Sequence, residues 1–149
     1  MSPTEYQKRL QPLLNQYKLE QMVSEIVLND NQKLKELKVN EFEFGFRPDY
    51  KKIGKYASED YAHYKNTLNP LAGSGNVDLI VTGRFVNSFF VHRTSVRNGY
   101  IFGAKDDNNL IGKYGKDILG LNQETFNKRQ SDVYVQQLVY IIKKDYKIA

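Results

Sequence analysis

The stretch Phe89-Phe90-Val91-His92-Arg93-Thr94-Ser95-Val96-Arg97-Asn98-Gly99-Tyr100-Ile101-Phe102-Gly103-Ala104 decides the fold class. Two apolar, β-prone runs flank Asn98-Gly99. A two-residue type I′ turn requires positive φ at both central positions, which asparagine and glycine accept most readily. The segment therefore reads as an antiparallel hairpin over about 89–104, with Arg97 opposite Tyr100 and Ser95 opposite Phe102. Side chains alternate along a strand, so Phe89, Val91, Arg93 and Arg97 share one face.

Upstream of the hairpin, Thr82-Gly83 followed by Phe85, Ser88 and Phe89 fits a helical turn capped by Thr82. Asn69-Pro70-Leu71-Ala72-Gly73-Ser74-Gly75-Asn76 reads as a loop. Ser58 is placed to cap a short helix whose one side carries Tyr61, Tyr64 and Leu68, a stripe expected to belong to the core. Phe42, Phe44 and Phe46 alternate with glutamate and glycine, as along an extended segment. Residues 33–38 suit a short second helix or an extension of the first.

At the start of the chain, Ser2-Pro3-Thr4-Glu5 carries a capping serine, a proline at the first helical position and a glutamate three residues after the cap. Tyr6, Leu10, Leu13, Leu14, Tyr17, Met22, Val23 and Ile26 follow at near-helical spacing. The prediction is a helix over about 3–28, roughly 40 Å long at 1.5 Å per residue. A small core cannot cover that length, so part of the helix is expected to pack on another chain; two shorter helices folded on one core are the alternative.

Downstream of the hairpin, a polar turn at 106–109 precedes a short helical piece around 110–114 that ends at Gly115, and Gly120 marks a further turn. Asn122 and Ser131 are candidate caps. Tyr134, Leu138 and Ile141, with Val135, Val139 and Ile142, trace a buried face on a last helix with a basic end at Lys143, Lys144 and Lys147. The sum is one α+β domain over 1–149, its small antiparallel sheet packed against a long projecting N-terminal helix and a C-terminal helix.

Composition narrows the function. The 149 residues and 17.3 kDa suit one domain, and 40% hydrophobic content suffices for a core without staples. With no cysteine, thiolate metal sites, iron–sulfur clusters, a catalytic thiol and disulfides are all excluded. The longest apolar run, 138–142, falls far short of the roughly 18 residues a membrane span needs. Residues 1–10 hold Glu5, Lys8 and Arg9 and no hydrophobic signal segment, so a soluble, unsecreted chain without a membrane partner is expected. The net charge of +5 is concentrated after residue 50, compatible with a nucleic-acid or acidic partner.

Catalytic chemistry finds little to work with. His63 and His92 lie 29 positions apart, without the spacing that puts two imidazoles on one metal. Gly73-Ser74-Gly75 lacks the full nucleophile-elbow pattern. Neither phosphate-loop pattern accompanies the glycines or the pair Lys113 and Lys116, and Asp106-Asp107-Asn108-Asn109 lacks the later ligands of a calcium loop. Asp60, Asp78, Asp117 and Glu124 are scattered. No catalytic residue, cofactor or metal is assigned. Arg84, Arg93 and Arg97 interleave with Tyr100 and Phe102, a pattern that can stack bases and neutralise phosphates. A nucleic-acid-binding accessory protein using this hairpin and the C-terminal lysines is therefore the second functional reading; the competing account places the arginines at the rim of the core or against another subunit's acids.

Thr82-Gly83-Arg84-Phe85-Val86-Asn87-Ser88 resembles the TG-x-hydrophobic-x-x-S segment of tailed-bacteriophage tail-completion, or head–tail joining, virion morphogenesis proteins. Together with Leu68-Asn69-Pro70-Leu71-Ala72-Gly73, Val77-Asp78-Leu79 and Lys113-Tyr114-Gly115-Lys116-Asp117-Ile118-Leu119-Gly120-Leu121, it makes roughly residues 40–125 similar to small structural proteins of phages of Bacteroidetes hosts. The resemblance implies a non-enzymatic subunit of a ring in the virion neck or tail terminus. Its partners would be sister copies, the portal or its adaptor, and the tail tube, with weak DNA contact where the ring lines a conduit; assembly would take place in the host cytoplasm. A ring needs two different surfaces per subunit. The expected interface residues are Tyr6, Leu10, Leu13, Leu14 and Tyr17 of the N-terminal helix, Leu71 of the 69–76 loop, and Arg84, Arg93 and Arg97.

Overall fold

A computed structural model describes residues 1–80, 82–94 and 100–148, with the backbone alone for Leu14, Gln16 and Tyr17. The fold is α+β, mostly helical with one small antiparallel pair of strands, β1 (Phe90–Arg93) and β2 (Tyr100–Gly103). The Asn98-Gly99 turn and the predicted pairings of Arg97 and Ser95 lie outside the described residues.

Contacts divide the chain into a terminal unit, Met1–Asp30 with His92–Ile101 and Asn127–Ala149, and a central unit, Asn31–Val91 with Phe102–Phe126. Each strand of the hairpin starts in one unit and finishes in the other.

The terminal unit begins with α1 (Pro3–Leu10), and its start matches the sequence reading in detail. Ser2 Oγ accepts from the Glu5 amide at 3.3 Å, and the Ser2 amide donates to Glu5 Oε2 at 2.7 Å. The predicted 3–28 helix is not continuous, however. After Leu10 the chain makes a 3₁₀ turn, Gln11–Leu14, and passes through an extended Asn15 before α2 (Gln16–Asn29) starts. Pro12 accounts for the break, because its nitrogen has no hydrogen to donate and its ring would collide with the carbonyl four residues back.

The last helix is reached through α7 (Gln123–Arg129), a π turn (Gln130–Tyr134) and α8 (Val135–Asp145). Ser131 caps nothing: it lies inside the π turn, where its hydroxyl donates to the Lys128 carbonyl at 3.1 Å. The wider turn brings Arg129 and Tyr134, five positions apart, onto one acceptor. Arg129 grips the Asp30 carboxylate through Nε at 2.8 Å and Nη2 at 2.6 Å, and Tyr134 Oη donates to it at 2.7 Å. Tyr134 is buried, but Val135 and Val139, predicted on the same buried face, are exposed.

The central unit opens with α3 (Asn31–Glu43). Phe42 therefore sits in a helix rather than in the expected extended segment, because Leu34, Lys38 and Phe42 recur every four residues and are all fully buried. Gly45 stops this helix. Its φ is +68°, its amide donates to the Phe42 carbonyl at 2.9 Å, and the Phe46 amide donates to the Glu41 carbonyl at 2.9 Å, the paired bonds of a Schellman end. Buried Lys38 pairs with Glu41 at 2.9 Å and lies 4.5 Å from the Phe42 ring centre. Burial pushes the Lys38 ammonium below its ordinary range, while Glu41 pulls it back up. Glu41 also accepts from the Asn122 amide at 2.8 Å.

The chain continues through α4 (Glu59–Leu68), the single turn α5 (Arg84–Asn87) and α6 (Leu110–Tyr114). Phe42, Ile53, Val77, Leu79, Phe85, Val86 and Ile118 form the core of this unit. Ser58 caps α4 as predicted, its hydroxyl accepting from the Tyr61 amide at 3.3 Å. Tyr64 and Leu68 on the same helix nevertheless point to solvent, so the expected core stripe is only partly one.

A Cβ at position 45 would meet the Val77 carbonyl oxygen at 2.7 Å, whereas one at Gly75, also at positive φ, would meet only the Lys55 side chain at 3.9 Å. Gly75→Ala is expected to lose about 1–2 kcal/mol for its backbone conformation alone. Gly45→Ala should lose distinctly more, and equal urea midpoints for the two variants would contradict this account of the helix end.

Candidate functional site

The central unit carries a half-open cavity of about 440 Å³, within the range of ordinary ligand or side-chain pockets. Val77, Leu79 and Phe85 of the core line it, together with Tyr56, Tyr61, and Leu110 and Tyr114 of α6. Ser58, Thr82, Asn108 and Lys113 complete its lining.

Local signals position each wall. The Ser58 cap starts α4 so that Tyr61 meets Tyr56 edge to face, with ring centres 5.0 Å apart at 89°. Asp106 starts α6 by accepting from the amides of Leu110 at 2.6 Å and Ile111 at 2.8 Å. The acidic turn weighed as a calcium loop thus contributes a helix cap. Gly83, at φ +73°, turns the chain into α5, and the Arg84 amide leans on Thr82 Oγ1 at 3.4 Å. Gly83, and not the predicted Thr82, is therefore the cap of this turn, because its positive φ lets the chain enter the helix there.

A buried ionic cluster is joined to the lining through Tyr56. Lys65 and Asp78 form an ion pair at 2.9 Å with side chains 3% and 2% exposed. Asp78 also accepts from Tyr56 Oη at 3.0 Å, Asn69 Nδ2 at 3.0 Å and the Ile80 amide at 3.0 Å. Lys65 donates a second bond to the Ile80 carbonyl at 2.8 Å. Between the clamped residues 78 and 80, Leu79 is held at φ +56°, an uncommon conformation for a branched side chain, and its side chain is directed into the cavity wall. Burial opposes ionisation of Asp78, yet hydrogen bonds from Asn69, Lys65 and the Ile80 amide, with the Lys65 charge, outweigh it and hold the carboxyl below its ordinary value. Burial, followed by the Asp78 charge and hydrogen bond, raises the Tyr56 hydroxyl, which stays a donor.

The residues weighed for catalysis are not brought together. His63 is exposed on α4 and His92 on β1. Ser74 is exposed in a turn whose carbonyl accepts from Lys55 Nζ at 3.2 Å. Asp117 is paired with Arg47 at 2.5 Å, and Asp60 and Glu124 are exposed. Among the described residues no group of three histidine or acidic side chains is placed to hold a metal ion. No helix among them is long and apolar enough to cross a membrane.

Of the expected interface residues, Tyr6, Leu71 and Arg84 are exposed and Leu10 is half-buried. Leu13 is buried within its own chain, so it offers nothing to a partner: the 3₁₀ turn made by Pro12 rotates it inward from the stripe it would share with Leu10 in a straight helix. The side chains of Leu14 and Tyr17, and all of Arg97, lie outside the described residues. Arg93 is exposed, but its guanidinium faces Glu25 at 3.4 Å, which reduces the charge available for phosphates. Sequence reasoning missed Tyr56, Leu79, Leu110 and Lys113 as a site. They come from three separate segments, and of the cavity lining only the Thr82-Gly83 turn stands out locally.

Compared with protein-family models, curated proteins and solved structures, the chain matches none.

The sign of the pH dependence follows from the lowered Asp78 carboxyl. Its contribution is complete above the unfolded value of 3.8 and is lost as pH falls through the lower folded value. Asp78→Asn should destabilise by about 3–5 kcal/mol near neutrality, because Lys65 stays buried without its counter-charge. It should also flatten the acid limb of the stability profile. An unchanged urea midpoint, or an acid limb as steep as in the parent, would refute this role.

Proposed function

We propose that the chain is a non-enzymatic structural subunit of a phage virion, part of a neck or tail-completion ring that links the portal or its adaptor to the tail tube. The observation that carries the reading is apolar surface left uncovered by the chain itself. Helix α1 is amphipathic and buries none of its residues. On α8, Val135, Val139 and Tyr140 are exposed, and on the central unit Tyr64, Leu68 and Leu71 follow one another along α4 and the turn after it. A solitary soluble chain seldom leaves several such groups in water, whereas a subunit of an assembly covers them with its neighbours.

Two further points support it. The buried ionisable groups of the central unit, Lys38, Glu41, Lys65 and Asp78, are engaged in ion pairs and hydrogen bonds that hold the fold together. The Thr82–Ser88 segment that resembles the neck proteins forms the turn presenting Phe85 to the core and to the cavity.

Mature particles of the phage carrying this gene should contain the chain in fixed stoichiometry by mass spectrometry, with its density at the head–tail junction in cryo-electron microscopy. Without it, full heads and free tails should accumulate. A chain abundant in infected cells but missing from mature particles would end the proposal.

A further inference from the structure

The cavity and α1 have complementary deficits. The cavity is a concave, largely apolar volume of about 440 Å³ that its own unit leaves unfilled. Helix α1 is an amphipathic segment without a buried residue. Its apolar stripe, Pro3, Tyr6 and Leu10, follows the i, i+3, i+7 spacing by which a helix seats in a groove. Arg9, in its last turn, donates to the Lys147 carbonyl, so the C-terminal end of α1 is tethered within the terminal unit, and Tyr6 is exposed.

We infer that the cavity of one copy receives α1 of the next, with Tyr6 as the anchor between Tyr56, Tyr61 and Tyr114. This rests on the reading of the chain as a self-assembling subunit and specifies how it joins its neighbour.

Charge complementarity favours α1 over the other uncovered surfaces. At the cavity lining, Lys113 approaches the Tyr114 ring at 5.1 Å and has no carboxylate partner among the described residues. Glu5 is the acid in the first turn of α1 and uses Oε2 to cap Ser2. Its second oxygen is available to the Lys113 ammonium when Tyr6, its neighbour in sequence, enters. The α8 surface suits the cavity less well. Its exposed Val135, Val139 and Tyr140 are followed in the last turn by Lys143 and Lys144, which bring like charge rather than a partner to Lys113. Donor and acceptor are different surfaces of one chain, so the contact is heterologous and propagates from copy to copy until a ring closes.

Complementation between two variants tests this directly. Tyr6→Asp disables the donor and Ala57→Trp fills the acceptor from its exposed rim; neither position is buried, and circular dichroism checks that both variants fold. The parent chain should form multi-subunit species in mass photometry and sedimentation, and each variant alone should run at its 17.3 kDa monomer mass. Mixed in equal amounts they should give a dimer and nothing larger, because only one intact donor and one intact acceptor remain per pair. As a second measurement, Tyr6→Cys mixed with Asn108→Cys should yield a disulfide-linked dimer in this otherwise cysteine-free chain. Either variant assembling like the parent, a mixture that stays monomeric, or a parent that is monomeric at every concentration would overturn this interface. The virion reading is decided separately, by the content of mature particles.

Discussion

The buried pair between Lys65 and Asp78 is the constraint on which the central unit depends. An ammonium and a carboxylate removed from water are tolerable only when both are fully hydrogen-bonded, so the two charges dictate the position of everything that satisfies them. Through Asp78 they fix Tyr56 and Asn69, and Asn69 in turn reaches the Glu43 carbonyl at the end of α3, at 2.8 Å. Through Ile80, held by Asp78 at its amide and by Lys65 at its carbonyl, they keep Leu79 in a conformation it would otherwise leave. Tyr56, bonded to Asp78, and Leu79, between the two clamped residues, both line the cavity. A wholly apolar replacement of the pair would preserve burial but would give no reason for the backbone at 79 to stay turned.

The aromatic residues divide between two tasks. Phe42 and Phe85 meet at 5.8 Å inside the central core, and Phe89 stacks on Phe102 at 5.6 Å. Phe44, Phe46 and Tyr50 instead form a chain of ring contacts at 6.2 and 5.8 Å near the surface, with Lys52 over Phe46. That aromatics outnumber the places the core can hold is what leaves tyrosines to line a pocket and to stand in solvent on α1 and α4.

Local signals were the legible part. Ser2 and Glu5 at α1, Ser58 at α4, Asn122 at α7 and Gly115 after α6 act within a few residues of themselves, and the structure places each where its chemistry points. The α+β class followed from the hairpin flanks. What failed required weighing one signal against another. Pro12 outweighs a long apolar stripe, and the helical recurrence of Leu34, Lys38 and Phe42 outweighs the alternation of Phe42, Phe44 and Phe46. The cavity was invisible for a different reason: Lys65 and Asp78 are thirteen positions apart, Tyr56 and Tyr114 nearly sixty, and no local pattern encodes a pairing made only by the tertiary fold.

The π turn at Gln130–Tyr134 holds one residue more than an α-helix would need to cover the same arc. Removing a single residue there would restore ordinary winding over that same arc, so Arg129 and Tyr134, then four positions apart, would still share a face. Asp30 would keep both its phenol and its guanidinium, and α8 would keep the same side toward α2. In a line of descent, the gain or loss of that one codon is absorbed where it falls, and the helix beyond it goes on facing the same way.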